Sequence, residues 1–337
     1  MMTSYLPRRP RGRPSVAAEE RYQAEVAEFC QKIRETRSRL DFSVSARGWG
    51  YILEGEGIIT KGDLDGAERL INEYRKDGLL PLDICAVDET RVADCLERID
   101  DTTALEEAEC VFDHVRSAHM NWTPFSFWED LDVYIEIGVE KIDLKNLFKP
   151  ICKQFRTPIT NIKDWYDINA RAAMMERFAS WEAKGKQCVL LLCGDHDPRG
   201  LSISSFMRSN LADLAKTVGW SPENLVIERF GLNYDFIRDQ GLLWIDNLET
   251  WSGKRLDDPR HPDHWKEYVQ GYLRQYGVRR VEANALVVRP EAGRALCGQA
   301  ILRYVPAEAV EEYEAKLEAA RAELADRIGE LLKRMAR

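Results

Sequence analysis

The chain has no apolar run near the ~18 residues that a membrane helix needs. Its longest candidate, Val189–Cys193, stops at Gly194. The basic start has no apolar segment behind it, so a signal peptide is not expected. The eight cysteines include no CxxC pair. That spacing argues against a disulfide frame or a thiolate zinc site and for reduced thiols in the cytoplasm. There is no GxxxxGK[ST], which speaks against a P-loop ATPase within the chain. Histidine is scarce, five in 337 residues, and His261 and His264 in an HPDH segment have no cysteine nearby, so they read as loop residues. A basic excess is also missing: 48 Lys and Arg stand against 57 Asp and Glu, a net charge of −9. A chain that binds nucleic acid over its whole surface is usually basic, so any such contact must be local.

The charge is uneven. Residues 1–14 carry Arg8, Arg9, Arg11 and Arg13 and no acid, which leaves 44 basic against 57 acidic residues, or −13, for the rest. Pro10-Arg11-Gly12-Arg13-Pro14 matches the core of an AT-hook. Proline keeps such a segment extended, and glycine lets the backbone approach the groove floor. Two arginines then enter the narrow, strongly negative minor groove of A·T-rich duplex DNA. The alternative is an unspecific basic tail attracted to phosphates.

At roughly 150 residues per domain, the length predicts about two domains. Residues 1–15 form the basic tail, and 16–125 a winged-helix-like module. Residues 126–305 form a sheet domain, and 306–337 a C-terminal helix. In the module, helices are predicted over Val16–Arg39, over Ser43–Leu53, and after Asp63 up to Gly78, followed by an acidic linking helix at 100–119. From residue 131 the pattern alternates. Strands are predicted at 132–139, 158–162, 187–193, 225–229 and 279–283. Helices lie at 144–155, 168–184, 201–218 and from Pro290. That alternation defines an α/β class with parallel βαβ units and a Rossmann-like sheet. Residues 239–266 read as a long surface loop. In the last helix, Val310, Tyr313, Leu317, Ala320, Leu324, Ile328, Leu331 and Met335 follow steps of three and four. Either a coiled-coil seam or a terminal helix lying on its own domain fits that spacing.

The chemistry concentrates in Val189-Leu-Leu-Leu-Cys-Gly-Asp-His-Asp-Pro-Arg-Gly200. A buried strand delivers Asp195 and Asp197 at its C-terminal end, where ligands of parallel sheets bind. Two carboxylates so close repel each other unless a cation lies between them. Mg²⁺, which prefers hard oxygen ligands, is the expected cation. Glu140 ends the first strand of the same sheet, four residues after Glu136. If the two strands are neighbours, Glu140 faces the aspartate pair and either shares the metal or serves as acid and base on a phosphoryl oxygen.

Val139-Glu140-Lys141 and Gly194-Asp195-His196-Asp197-Pro198-Arg199-Gly200 together resemble the Toprim fold. More narrowly, they resemble the Toprim domain of the DNA topoisomerase VI A subunit and the meiotic double-strand-break proteins, especially relatives from phages and mobile elements. The likeness spans residues of about 130–300 and takes in Val281-Glu282-Ala-Asn-Ala-Leu286. It implies Mg²⁺-dependent cleavage of the DNA backbone, with Glu140, Asp195 and Asp197 in metal and acid–base roles and Glu282 as a further acid. It also implies an upstream arginine and, four residues on, a tyrosine nucleophile. Arg47 and Tyr51 have that spacing and share a helix face. Ile58–Lys61 would begin the wing and 75–81 end the recognition region. The expected activity is transesterification through Tyr51, on double-stranded DNA, by a homodimer with a separate ATPase subunit. The alternatives are a hydrolytic Toprim nuclease of a mobile-element or defence system, and a non-catalytic DNA-binding subunit.

Overall fold

The structure is a computed structural model that describes residues 6–10, 12, 14–86, 95, 97, 99–162, 167–248 and 255–335. Of the AT-hook core, Arg11 and Arg13 fall outside these residues, and Gly12 lies within them with a positive φ of 73°.

Seventeen helices and strands are named in chain order. The first three are α1 Val16–Arg39, α2 Ala46–Gly55 and α3 Leu64–Lys76. After α4 Ala104–Asn121 come β1 Val133–Val139, α5 Ile142–Gln154, β2 Ile159–Asn161, α6 Ile168–Glu182 and β3 Gln187–Cys193. Then follow α7 Pro198–Leu201, α8 Ile203–Ala212, α9 Ala215–Val218, β4 Val226–Gly231 and α10 Tyr234–Gln240. The last are α11 Glu267–Tyr276, α12 Pro290–Leu302 and α13 Ala309–Met335.

The chain divides into two compact units. The first joins Met1–Val87 to Tyr134–Ile301, and the second joins Asp88–Val133 to Leu302–Arg337. In the second, Tyr313 of α13 packs edge-on against Phe125 and Phe127, which follow α4, and Lys316 pairs with Asp130. Only Ala309, Tyr313 and Leu317 of α13 are buried; beyond them Ala320, Leu324 and Ile328 are partly covered, and Leu331 and Met335 are exposed.

The first unit is built on a parallel four-stranded sheet of order β2-β1-β3-β4. β3 is apolar and buried on both faces, as a central strand flanked by crossover helices must be. Glu136, on β1, is 0% exposed and is satisfied by Arg177 of α6 at 2.7 Å to each oxygen and by the Tyr134 hydroxyl at 2.9 Å. It serves the core, not the strand tip.

Three expectations need correction. Residues 279–283 do not join the sheet. Val281 and Arg280 instead make isolated antiparallel bridges to His196 and Ile245, across the ends of the strands. The predicted helix 201–218 is three pieces. Asp197 caps α7 by accepting from Gly200 N–H at 2.6 Å, Pro198 opens it, and a new helix starts after Ser202. The supposed surface loop 239–266 carries Leu248 and Leu256, which are buried against Val269 and Tyr272. Among the described residues of 6–86 there are three α-helices and two short 3₁₀ turns but no strand, and Ile58–Lys61 is a turn running into the 3₁₀ segment Lys61–Asp63.

Candidate functional site

The strand order decides where a site can form. From β1 the chain crosses to β2 on one side, and β3 then pairs on the other side of β1. The crevice beyond the carboxyl ends of β1 and β3 is therefore the switch point of the sheet, where ligands bind in open parallel sheets. Glu140 follows β1 and the Asp195–Asp197 segment follows β3. The two strand ends are stitched together. Glu140 N–H donates to the Cys193 carbonyl at 3.1 Å, and Asp195 N–H donates to Glu140 Oε2 at 2.9 Å.

Two glycines permit this closeness. A Cβ at Gly194 would lie 2.7 Å from Glu140 Oε2. A Cβ at Gly200 would lie 1.9 Å from the Asp195 carbonyl oxygen, a collision with backbone. Arg229 braces the turn from β4, its guanidinium donating to the carbonyls of Asp195 at 3.3 Å and Leu232.

Asp195 accepts from Ala283 N–H at 2.7 Å through Oδ1, while its Oδ2 lies 3.0 Å from Lys141 Nζ. The same ammonium is 4.0 Å from Glu140 Oε1. Burial and then the Asp195 carboxylate push Glu140 up to about 7. Burial and Asp195 also raise Asp197. Lys141 is held firmly charged: burial opposes the charge, but Asp195 and Glu140 outweigh it.

His196, between the acids, is a structural residue. Its backbone pairs with Val281, and its ring is enclosed by Tyr272, Tyr276 and Trp244. Its Nδ1 lies 3.1 Å from the Tyr272 hydroxyl. Burial, then Arg229, lowers it to about 4, so the ring is neutral. The pairing of residue 196 with 281 is what brings residues 282 and 283 to the site.

Glu282 accepts its hydrogen bonds from the Tyr51 hydroxyl and from two arginines. Its Oε2 accepts from the Tyr51 hydroxyl at 2.9 Å and from Arg47 Nε at 3.2 Å, and its Oε1 from Arg280 at 3.2 Å. Burial would raise it, but Arg47 and Arg280 hold it below the usual carboxylate range. Tyr51 is 1% exposed, and burial, then Glu282, pushes its phenol well above the ordinary value. Arg47, on the same helix face, also pairs with Asp65 and lies 5.7 Å from the Tyr51 ring centroid. The structure thus brings Arg47, Tyr51 and Glu282 together in one group and Glu140, Asp195 and Asp197 in a second.

Asp143, buried in the first turn of α5, holds α2 in register with the sheet. It accepts from Ser45 N–H at 2.5 Å and Ser45 Oγ at 2.6 Å, while Ser45 caps α2. Sequence reasoning gave no role of their own to Asp143, Lys141, Arg229 or Arg280. Lys141 and Asp143 had a signal, because both sit within three residues of Glu140. The arginines had none, since the place of β4 and of residues 280–282 beside the strand ends is set by long-range packing.

No group of three or more His, Cys, Asp or Glu side chains among the described residues is arranged to hold a metal ion. The donor types nonetheless suit Mg²⁺, being hard carboxylate oxygens. A positive charge, the lysine ammonium, already sits against two of them. The chain matches no family model, no curated protein and no solved structure. No helix among the described residues is long and apolar enough to cross a membrane.

The high proton affinity of Glu140 has a measurable consequence. An acid bound more tightly to its proton in the folded chain, about 7, than in the unfolded chain, ~4.3, stabilises the fold below the unfolded value. That contribution is lost as pH rises through about 7. In EDTA, Glu140→Gln is therefore expected to raise the melting temperature at pH 8 by about 5 °C and to leave it unchanged at about pH 4. Melting curves at both pH values check this, and an equal shift at both would show that Glu140 ionises normally.

Proposed function

We propose that the protein cleaves the DNA backbone in a Mg²⁺-dependent reaction at the Glu140, Asp195 and Asp197 cluster, as a Toprim enzyme of the topoisomerase VI A-subunit type. The observation that carries this reading is the gathering of the carboxylates at the switch point of the sheet, with Asp195 N–H bonded to Glu140 at 2.9 Å. Glu140, Asp195 and Asp197 would hold the ion, which when bound neutralises charge developing on the phosphoryl oxygens.

The chain's own groups supply the rest. Tyr51 Oη attacks phosphorus, its proton passes to Glu282, and the bond from phosphorus to the leaving sugar oxygen breaks. Solvent protonates that oxygen, because a Glu140 carboxylate that holds the ion carries no proton. Arg47, one helical turn from Tyr51, turns its guanidinium from Glu282 to the phosphate. Helices α1–α3 act as the winged-helix-like DNA-binding module, residues 1–15 as an AT-hook-like minor-groove contact through Arg11, Gly12 and Arg13, and residues 126–305 as the Toprim domain. A cut in both strands takes two such sites, so the working form is a homodimer, with strand passage driven by a separate ATPase subunit.

One observation favours a second reading, hydrolysis by an activated water. Tyr51 is only 1% exposed, so a phosphate reaches it only after α2 shifts. Quenching a reaction on supercoiled plasmid with detergent separates the two. Transesterification leaves protein on DNA ends that protease removes, whereas hydrolysis leaves free phosphate and hydroxyl ends.

A further inference from the structure

Lys141 stands two residues after β1, next to Glu140, at the N-cap position of α5. Its ammonium is 3.0 Å from Asp195 Oδ2 and 4.0 Å from Glu140 Oε1. Its charge also acts on Asp143, Asp197 and Glu282. The half-buried guanidiniums nearby make their hydrogen bonds elsewhere, although the charge of Arg229 also acts on Glu140, Asp195 and Asp197 and that of Arg280 on Asp197. Arg47 and Arg280 close on Glu282, and Arg229 closes on backbone carbonyls. Asp195 is buried and Glu140 keeps 30% of its side chain in solvent; Lys141 is the cation that pairs with both, and it offsets part of the cost of holding their charge away from water. Lysine suits the task better than arginine. Its charge is compact and strongly hydrated, like that of a small ion, and its four-carbon stem can swing without breaking a planar fork of bonds. The Lys141 side chain keeps 26% of its surface in solvent, so an outward path exists.

We infer that Lys141 is an internal counter-cation of the acidic cluster: its ammonium neutralises Glu140 and Asp195 in the metal-free protein, and a divalent ion reaches these carboxylates by displacing it. The inference rests on the metal reading above and adds to it. Metal binding then works against a charge already in place, so the affinity of the cluster for Mg²⁺ is set by how easily the lysine leaves. It also accounts for the lack of a ready three-ligand arrangement among the described residues.

The test is the Mg²⁺ dependence of thermal unfolding, with Mn²⁺ binding followed by electron paramagnetic resonance, on the full chain and on Lys141→Met. Methionine keeps most of the stem and removes the charge. In EDTA the variant is expected to melt below wild type. Its half-saturating Mg²⁺ concentration is expected to be lower by about tenfold or more, because a unit charge 3–4 Å away acts through the effective dielectric of the protein. Asp195→Asn in the same background should abolish the gain. A second measurement needs no variant: acetylation of the Lys141 amine in wild-type protein, read by mass spectrometry, should rise severalfold on adding Mg²⁺. Binding to wild type that Lys141→Met leaves unchanged or weakens, with no rise in labelling, overturns the inference and leaves the metal reading standing. The absence of Mg²⁺ and Mn²⁺ binding in both proteins overturns the metal reading, and the inference with it.

Discussion

Asp195→Asn and Asp197→Asn are each expected to slow Mg²⁺-dependent DNA cleavage by about a thousandfold, with the fold intact. Each change removes one negative charge and keeps the shape. In Asp195→Asn the amide retains a carbonyl oxygen for the Ala283 N–H, which is 2.7 Å from Asp195 Oδ1. In Asp197→Asn the new side chain can still cap α7, because an amide oxygen accepts from Gly200 N–H as the carboxylate does at 2.6 Å. The backbone of the turn stays braced by Arg229. The loss therefore reports charge at the cluster and not collapse of the loop. Cleavage rates, with far-ultraviolet circular dichroism as the check on folding, give the result. Wild-type rates in both variants would remove the cluster from the reaction.

Tyr51→Phe is the second large effect. Removing one oxygen leaves the ring and its buried area in place. If Tyr51 attacks, both the cut and the protein–DNA adduct disappear. If it only packs, neither depends on its hydroxyl. The variant also removes the donor 2.9 Å from Glu282 Oε2, but Arg47 and Arg280 still hold that carboxylate, so the fold is expected to survive. Arg47→Ala should reproduce the loss only in the tyrosine mechanism, where the guanidinium holds the phosphate beside the nucleophile. The expected outcome is loss of adduct and cut together. Full cleavage by Tyr51→Phe with no covalent complex would make water the nucleophile.

Much of the central frame was legible because its signals are local. β3 is a near-continuous apolar run ending in glycine, and its predicted bounds, 187–193, coincide with the strand. Val16–Arg39 was legible from its apolar face, and the structure adds the Ser15 side chain as its cap. The adjacency of β1 and β3, on which the meeting of Glu140 with Asp195 depends, was only a condition in the sequence, since strand order is set by long-range packing.

The failures share a cause. Residues 279–283 have the apolar alternation of a strand, yet their pairing is with His196 and Ile245, and no local pattern encodes that choice. The partners of Glu282 were equally hidden, since Arg47 is 235 residues away in sequence. Lys141 was visible but was read only as part of a motif. Its role as the charge against Asp195 needed the 3.0 Å distance.

The most direct test of the central claim is a single gel. Supercoiled plasmid is incubated with wild-type protein and with Asp195→Asn, each in Mg²⁺ and in EDTA, and every reaction is run with and without protease after detergent. Nicked and linear DNA should form only with wild type in Mg²⁺, with part of it freed to run normally only after protease. Equal cutting in EDTA, equal cutting by Asp195→Asn, or intact plasmid in every lane would contradict metal-dependent cleavage at Glu140, Asp195 and Asp197.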